Sequence, residues 1–304
     1  MTDASTSGPR KEDDGLRLLT AKEVVHVLLG REVGGILKFD PIARQGDDPE
    51  GVHQLRVRSR RLRSELEIVA PVIKATSLQG LTSELGRIGK ILGRLRDHDV
   101  LRQTLLALSN DASIGPTYSV LTELDRQRHR ERRHVADALD SRRYRRLITT
   151  LTGAVLSPPF RSIAAQSAGD VFMPGLYDAW ALLFEATDEC GPAPTNDELH
   201  QIRILAKKAR YGTDIARSFL GDAAVEISDS LSNAQSVLGT LHDDAMAMQY
   251  LAKEQSAHLE DAEWAVPRAA LVVMNDQLSA TIEQCRLKWR EPLEQARGLI
   301  AALS

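Results

Sequence analysis

The sequence predicts an all-α fold: two antiparallel four-helix-type bundles, one from each half of the chain, packed as pseudo-symmetric partners. Three observations carry this. Leu, Ala, Arg and Glu are abundant, and no stretch alternates apolar and polar residues for long, which is the pattern of helices and not of strands. HQLRVRSRRLR at 53–63 aligns without gaps on HQIRILAKKAR at 200–210, and LGRLRD at 92–97 matches LGTLHD at 238–243. Two motifs in the same order, at offsets of 147 and 146 residues, mark an internal duplication of about half the chain, whose copies stack. Finally, one Pro- and Gly-bearing stretch near the middle reads as a connector.

The elements follow in order. Residues 1–15 form a polar lead expected to be disordered, and the domain proper runs over 16–303. A first helix is expected at about 16–34, followed by a loop at 39–51. Asp47, Asp48 and Pro49 are start signals for a second helix at about 50–70, which stops near Pro71. A third spans about 77–109 and a fourth about 115–138, and Ser141 opens a short fifth that fades near Gly153. These make the first half, 16–155. The connector is placed at 156–174, with Pro158, Pro159, Gly169 and Pro174 and little periodicity. The second half, 175–303, has helical patterns at about 175–190, 196–219, 222–256, 261–289 and 292–303.

Length and composition narrow the function classes. A chain of 304 residues suggests two units of roughly 150. No apolar run reaches membrane-spanning length, and the N-terminus is polar and acidic, unlike a secretory leader. Two cysteines, Cys190 and Cys285, are too few for a disulfide framework. A cytoplasmic protein with no membrane partner is expected. With Lys+Arg 39 against Asp+Glu 42 the net charge is -3, so any affinity for an anion must come from where the charges sit.

The repeated motif supplies that placement. At about 100° per residue, His53, Arg56, Arg60 and Arg63 fall within roughly 80° on the helical wheel, opposite Leu55, Leu62, Leu66 and Val69. The second half repeats the arrangement with His200, Arg203, Lys207 and Arg210 against Ile202, Ala209 and Ile215, while Arg61 and Lys208 sit at the stripe edges. Like charges three or four residues apart cost roughly 0.2–0.5 kcal/mol per pair. An anion lying along the helix relieves that repulsion, and the Arg fork matches phosphate through two parallel hydrogen bonds. The stripe from His53 to Arg63 is about 15 Å long, which suits an extended polyanion. Arg87, Lys90 and Arg94 form a second basic line on the third helix. Their counterparts Asn233, Ser236 and Thr240 are uncharged, so the first half is expected to bind anions more strongly. The cluster from Arg126 to Arg146, nine arginines against three acids, ranks lower, because several of its members must face water.

H-x-x-R-(V/I)-x-x-(R/K)-(R/K)-x-R, given twice and each time followed by L-G-x-L-x-D, resembles the CHAD domain (conserved histidine α-helical domain) over about residues 16–303. The resemblance implies two four-helix bundles packed around a basic central groove or pore that binds inorganic polyphosphate, with targeting to polyphosphate granules. Carried over by motif position, the polyphosphate-binding residues are His53, Arg56, Arg60, Arg61, Arg63, His200, Arg203, Lys207, Lys208 and Arg210. Arg87, Lys90 and Arg94 join them on helix position and charge. Thr240 and Ala245 depart from the repeat, standing where the first half has Arg94 and Asp99. The E-x-E-x-K signature of a triphosphate tunnel domain, to which family members can be fused, is not met, since Val69 follows Glu65 and Glu67 where Lys is needed.

Other chemistries fit less well. Asp97, His98 and Asp99 are adjacent and point in different directions on a helix, so no metal site is expected; Asp97 and Asp243 should pair with arginines or a helix end and fix the stripe geometry. No P-loop, dinucleotide fingerprint or nucleophile–base set is present, and neither a cofactor nor catalysis is expected. The alternatives are nucleic acid or another polyanion bound by the same groove, or an enzyme of phosphate metabolism, for which no catalytic set is found; nucleic acid is the rival partner. Readers of single strands interleave aromatics with basic residues, and here only Tyr211 adjoins a stripe.

Overall fold

A computed structural model describes residues 19–46, 48–109, 118–257 and 268–303. The expected lead at 1–15, and Asp47 among the helix-start signals, lie outside them. The described residues form ten α-helices and no strand: α1 (Ala21–Gln45), α2 (Pro49–Ile68), α3 (Ala75–Ser109), α4 (Tyr118–Asp140), α5 (Arg142–Leu156), α6 (Ala168–Glu189), α7 (Asn196–Leu220), α8 (Asp222–Ala257), α9 (Arg268–Lys288) and α10 (Glu291–Ala301). Helix order and length recur. α1, α2 and α3 begin at residues 21, 49 and 75, and α6, α7 and α8 at 168, 196 and 222, each 147 residues on. Each half is four longer helices and a short fifth.

Side-chain caps set the start of four helices. Thr20 and Glu23 close a capping box on α1, and Thr195 and Glu198 do the same on α7. Asp48 caps α2 ahead of Pro49, and the Ser141 hydroxyl accepts from the Tyr144 amide at 3.1 Å on α5. Two expected boundaries are corrected. The loop at 39–51 is mostly helix, because α1 runs through Pro41 to Gln45. Its last turn is anchored by Arg44, whose Nε donates to Asp40 at 2.8 Å and whose Nη2 donates to the Leu139 carbonyl at 2.6 Å. Gly46, at φ 70°, then ends the helix in the left-handed conformation open to glycine. The connector is also shorter than expected. α6 starts at Ala168 and carries Pro174 inside it, since the Ala168 amide donates to the Leu19 carbonyl at 2.8 Å while the Ala21 amide donates to the Gln166 carbonyl at 2.9 Å. That pair of bonds ties the first turns of α1 and α6 together.

The apolar core does not divide at the connector. One cluster runs from Val25, Leu55 and Leu92 in the first half to Trp180, Ile202, Leu238 and Leu293 in the second. A smaller cluster joins Leu105 and Leu124 to Leu251 and Met274. The halves meet along α2 against α7 and α3 against α8. These are the helices that carry the two repeated motifs, so the packing brings the stripes face to face.

Candidate anion-binding groove

α2 and α7 turn Leu55, Leu62, Ile202 and Ala209 inward, each no more than 1% exposed. Burying that apolar side forces the opposite side, with its cations, toward the seam between the halves. There a groove of about 740 Å³ is lined by His53, Arg56, Arg60 and Arg63 from α2, His200 and Arg203 from α7, Lys90, Arg94 and Arg96 from α3, and His242 from α8. Its only acids among the described residues are Asp97 and Asp243. Asp97 lies 3.6 Å from an Arg56 Nη2, and Asp243 sits beside Arg203, so each half sets one motif carboxylate against its first motif arginine.

The glycines of α3 make room for the stripe. Cβ atoms added at Gly86, Gly89 and Gly93 would lie 3.4, 3.7 and 3.3 Å from Arg63, Arg60 and Arg56 respectively. Gly239 of α8 bears the same relation to Arg203, at 3.9 Å. The glycine of L-G-x-L-x-D is therefore the seat of the first motif arginine in both halves.

The site is electrostatically unfavourable as it stands. The Nδ1 atoms of His53 and His200 and the Nε atoms of Arg56 and Arg203 are buried without hydrogen-bond partners, and a buried polar group left unpaired costs about 1–3 kcal/mol. Burial, then Arg60, lowers the proton affinity of the Arg56 guanidinium. Burial, with Arg203, Arg60 and Arg56 behind it, pushes the Lys207 ammonium down to about 7. His53, His200 and His242 are also lowered, first by burial and next by Arg96 for His53 and by Arg203 for the other two. The His200 and His242 rings stand 5.1 Å apart. An anion in the groove would offset the crowded charge.

Not every expected residue reaches this place. Lys207 lies under the stripe among Arg203, Arg60 and Arg56 without lining the groove wall. Arg87 opens on a neighbouring recess of about 500 Å³ that shares Arg63 and Lys90 with the groove. Arg210 leans on Ser232 at 3.4 Å and on the Tyr211 ring, and Lys208 is exposed away from the groove. Arg61 points the other way. It is held by Glu65 at 2.8 Å and Asp214 at 2.9 Å, next to the fully buried Glu32, so its charge is spent on an ion network that joins α1, α2 and α7.

Reading the sequence missed Arg96 and His242 as groove residues. Both belong to L-G-x-L-x-D, and their placement on the motif beside Asp97 and Asp243 was the available signal. In the Arg126–Arg146 cluster, Arg128 bonds Asp99 and Asp125, Arg126 and Arg130 pair with Glu123, and Arg143 pairs with Glu84. No group of three or more His, Cys, Asp or Glu suited to a metal ion occurs among the described residues, and no described helix is long and apolar enough to cross a membrane.

Comparison with known proteins agrees with this architecture. The profile described as "CHAD domain" matches residues 28–252. Two uncharacterized proteins of Mycobacterium tuberculosis, from strains CDC 1551 and H37Rv, are each 26% identical over 242 residues. That match takes in 77% of this chain and 46% of theirs, so the chain spans about half the length of these relatives. Among solved structures, PptA from Streptomyces chartreusis superimposes with a TM-score of 0.70 at 16% identity, over 91% of this chain and 100% of that one. The CHAD domain from the plant Ricinus communis superimposes with a TM-score of 0.69 at 24% identity, over 88% and 92%. At these identities the two structures speak for the fold.

Proposed function

This chain belongs to the CHAD domain family, and from that premise we propose that it binds inorganic polyphosphate in the groove between α2 and α7. The reading makes it a binding module and not an enzyme, acting in the cytoplasm and held at polyphosphate granules. One observation carries it: cations from α2, α3 and α7 line a single groove whose buried nitrogen donors lack partners. A linear polyphosphate offers a run of charge with an oxygen acceptor at every step, and Arg forks engage such oxygens two at a time. Single-stranded nucleic acid offers similar charge but needs stacking surfaces, and among the described residues no Phe, Tyr or Trp lines the groove.

A competition titration tests this. Long polyphosphate should displace a labelled polyphosphate far more effectively than orthophosphate or a single-stranded DNA of equal charge. Counterion release lowers log K by about 0.7 per log unit of salt for each phosphate neutralised on a single strand. Five contacts would therefore weaken binding about 100-fold between 50 and 200 mM salt. Equal competition by the DNA at physiological salt would refute the assignment.

A further inference from the structure

A second cavity, of about 830 Å³, lies in the first half between the start of α3 and α5, floored by α1 and α2. Its character is the reverse of the groove's. Leu29, Leu66, Ile73, Leu81, Leu147 and Leu151 form its interior, and three arginines of α5, Arg142, Arg143 and Arg146, stand at its edge. Arg143 is paired with Glu84, which also accepts from Arg87 at 3.1 Å. Arg142 and Arg146 are exposed and have no acid within ion-pair distance among the described residues.

Two features distinguish this chamber from a packing gap. It continues the basic surface: Arg143 lines both the chamber and the recess of Arg63, Arg87 and Lys90, which in turn opens on the groove. The two cations without an acid partner are also particular to this half: at the 147-residue offset Arg142 and Arg146 fall on Trp289 and Leu293 of the second half, while Arg143 falls on Arg290, which opens α10. An apolar hollow edged by unpaired guanidinium groups is complementary to one kind of molecule, which has an apolar body and an anionic end. The Arg fork favours phosphate for that end.

We propose that this chamber binds a phosphate monoester of an apolar chain, with the chain among the leucines and the phosphate held by Arg142 and Arg146. The site is separate from the polyphosphate groove and stands whether or not that reading holds.

Butyl, hexyl, octyl and decyl phosphate, kept below their micelle-forming concentrations, provide the test by calorimetric titration of the full chain. Each CH₂ buried should tighten binding up to about fourfold, until the chamber is full. Ala154→Trp, on the chamber wall, should flatten that rise, and Thr150→Trp, an exposed wall position, is the second variant should the first not fold. Arg142→Glu with Arg146→Glu should weaken every member of the series alike and leave the dependence on chain length. Long-polyphosphate affinity, measured in parallel, should be unchanged in the two tryptophan variants. An affinity that does not rise from butyl to octyl phosphate overturns the proposal. So does a rise that survives Ala154→Trp and Thr150→Trp, or one that disappears as protein concentration increases, which would assign the chamber to a second copy of the chain. Failure of polyphosphate to bind while the chain-length rise persists would count against the groove alone.

Discussion

The guanidinium of Arg56 rests on Gly93: a Cβ at residue 93 would stand 3.3 Å from the Arg56 Nε. In the second half, the same addition at Gly239 would meet Arg203 at an ordinary 3.9 Å. Alanine is worth about 0.5–1 kcal/mol over glycine inside a helix. Gly239→Ala should therefore raise stability by about that amount and leave polyphosphate affinity nearly unchanged. Gly93→Ala must push the Arg56 side chain aside, so it should gain less stability and lose affinity several-fold. Thermal melts and a polyphosphate titration on the two variants check this.

Arg60 and Arg61 are neighbours with opposite duties. Removing Arg61 takes one cation from Glu65, Glu32 and Asp214, which keep Arg31, Arg58 and Arg217, so the cost stays below the about 3–5 kcal/mol of a fully uncompensated buried charge. Arg61→Ala should destabilise the fold by about 1–3 kcal/mol in chemical denaturation. Arg60→Ala relieves repulsion on Arg56 and Lys207, so it should leave stability unchanged or higher while weakening polyphosphate binding.

Binding should also take up protons. The bases in the groove are His53, His200 and His242, and Lys207 lies beneath it. They face Arg56, Arg60, Arg96 and Arg203, with Asp97, Asp243, Asp197 and Glu50 as the nearby acids. All four bases are lowered in the free protein, Lys207 to about 7. A base depressed by folding contributes stability above its unfolded value that is lost as pH falls through its folded value. Phosphate in the groove favours the protonated forms and raises these values again. Affinity should therefore increase from pH 8 to pH 6, and calorimetry in buffers of different ionisation enthalpy should register net proton uptake. An affinity that falls on acidification would contradict this.

Much of this could be read in the sequence, because the relevant signals are local and repeated. The wheel position of His53, Arg56, Arg60 and Arg63 opposite Leu55 and Leu62 fixes which side must be turned out, and the duplication then places the second stripe. Arg87, Lys207, Lys208 and Arg210 also fall outside the groove lining, but the clearest departure is Arg61, which the same wheel put at the stripe edge. Its destination depends on Glu32 of α1 and Asp214 of α7, which no motif links to it. Pro41 and Pro174 misled for a related reason. A proline signals a helix end, but tertiary anchors such as Arg44 on Asp40 and the Ala168–Leu19 hydrogen bond carried the helices past them. The role of Gly86, Gly89 and Gly93 becomes apparent only once α3 is laid against α2.

On the proposed function, both halves act on one polyanion in one groove. The most direct test is the affinity of Arg60→Glu and of Arg203→Glu for long polyphosphate, measured at one salt concentration with helical content followed by circular dichroism. Each single reversal should lower affinity at least tenfold with helicity intact. Full-strength binding by either variant would mean that one row of cations suffices and that the two stripes do not share a ligand.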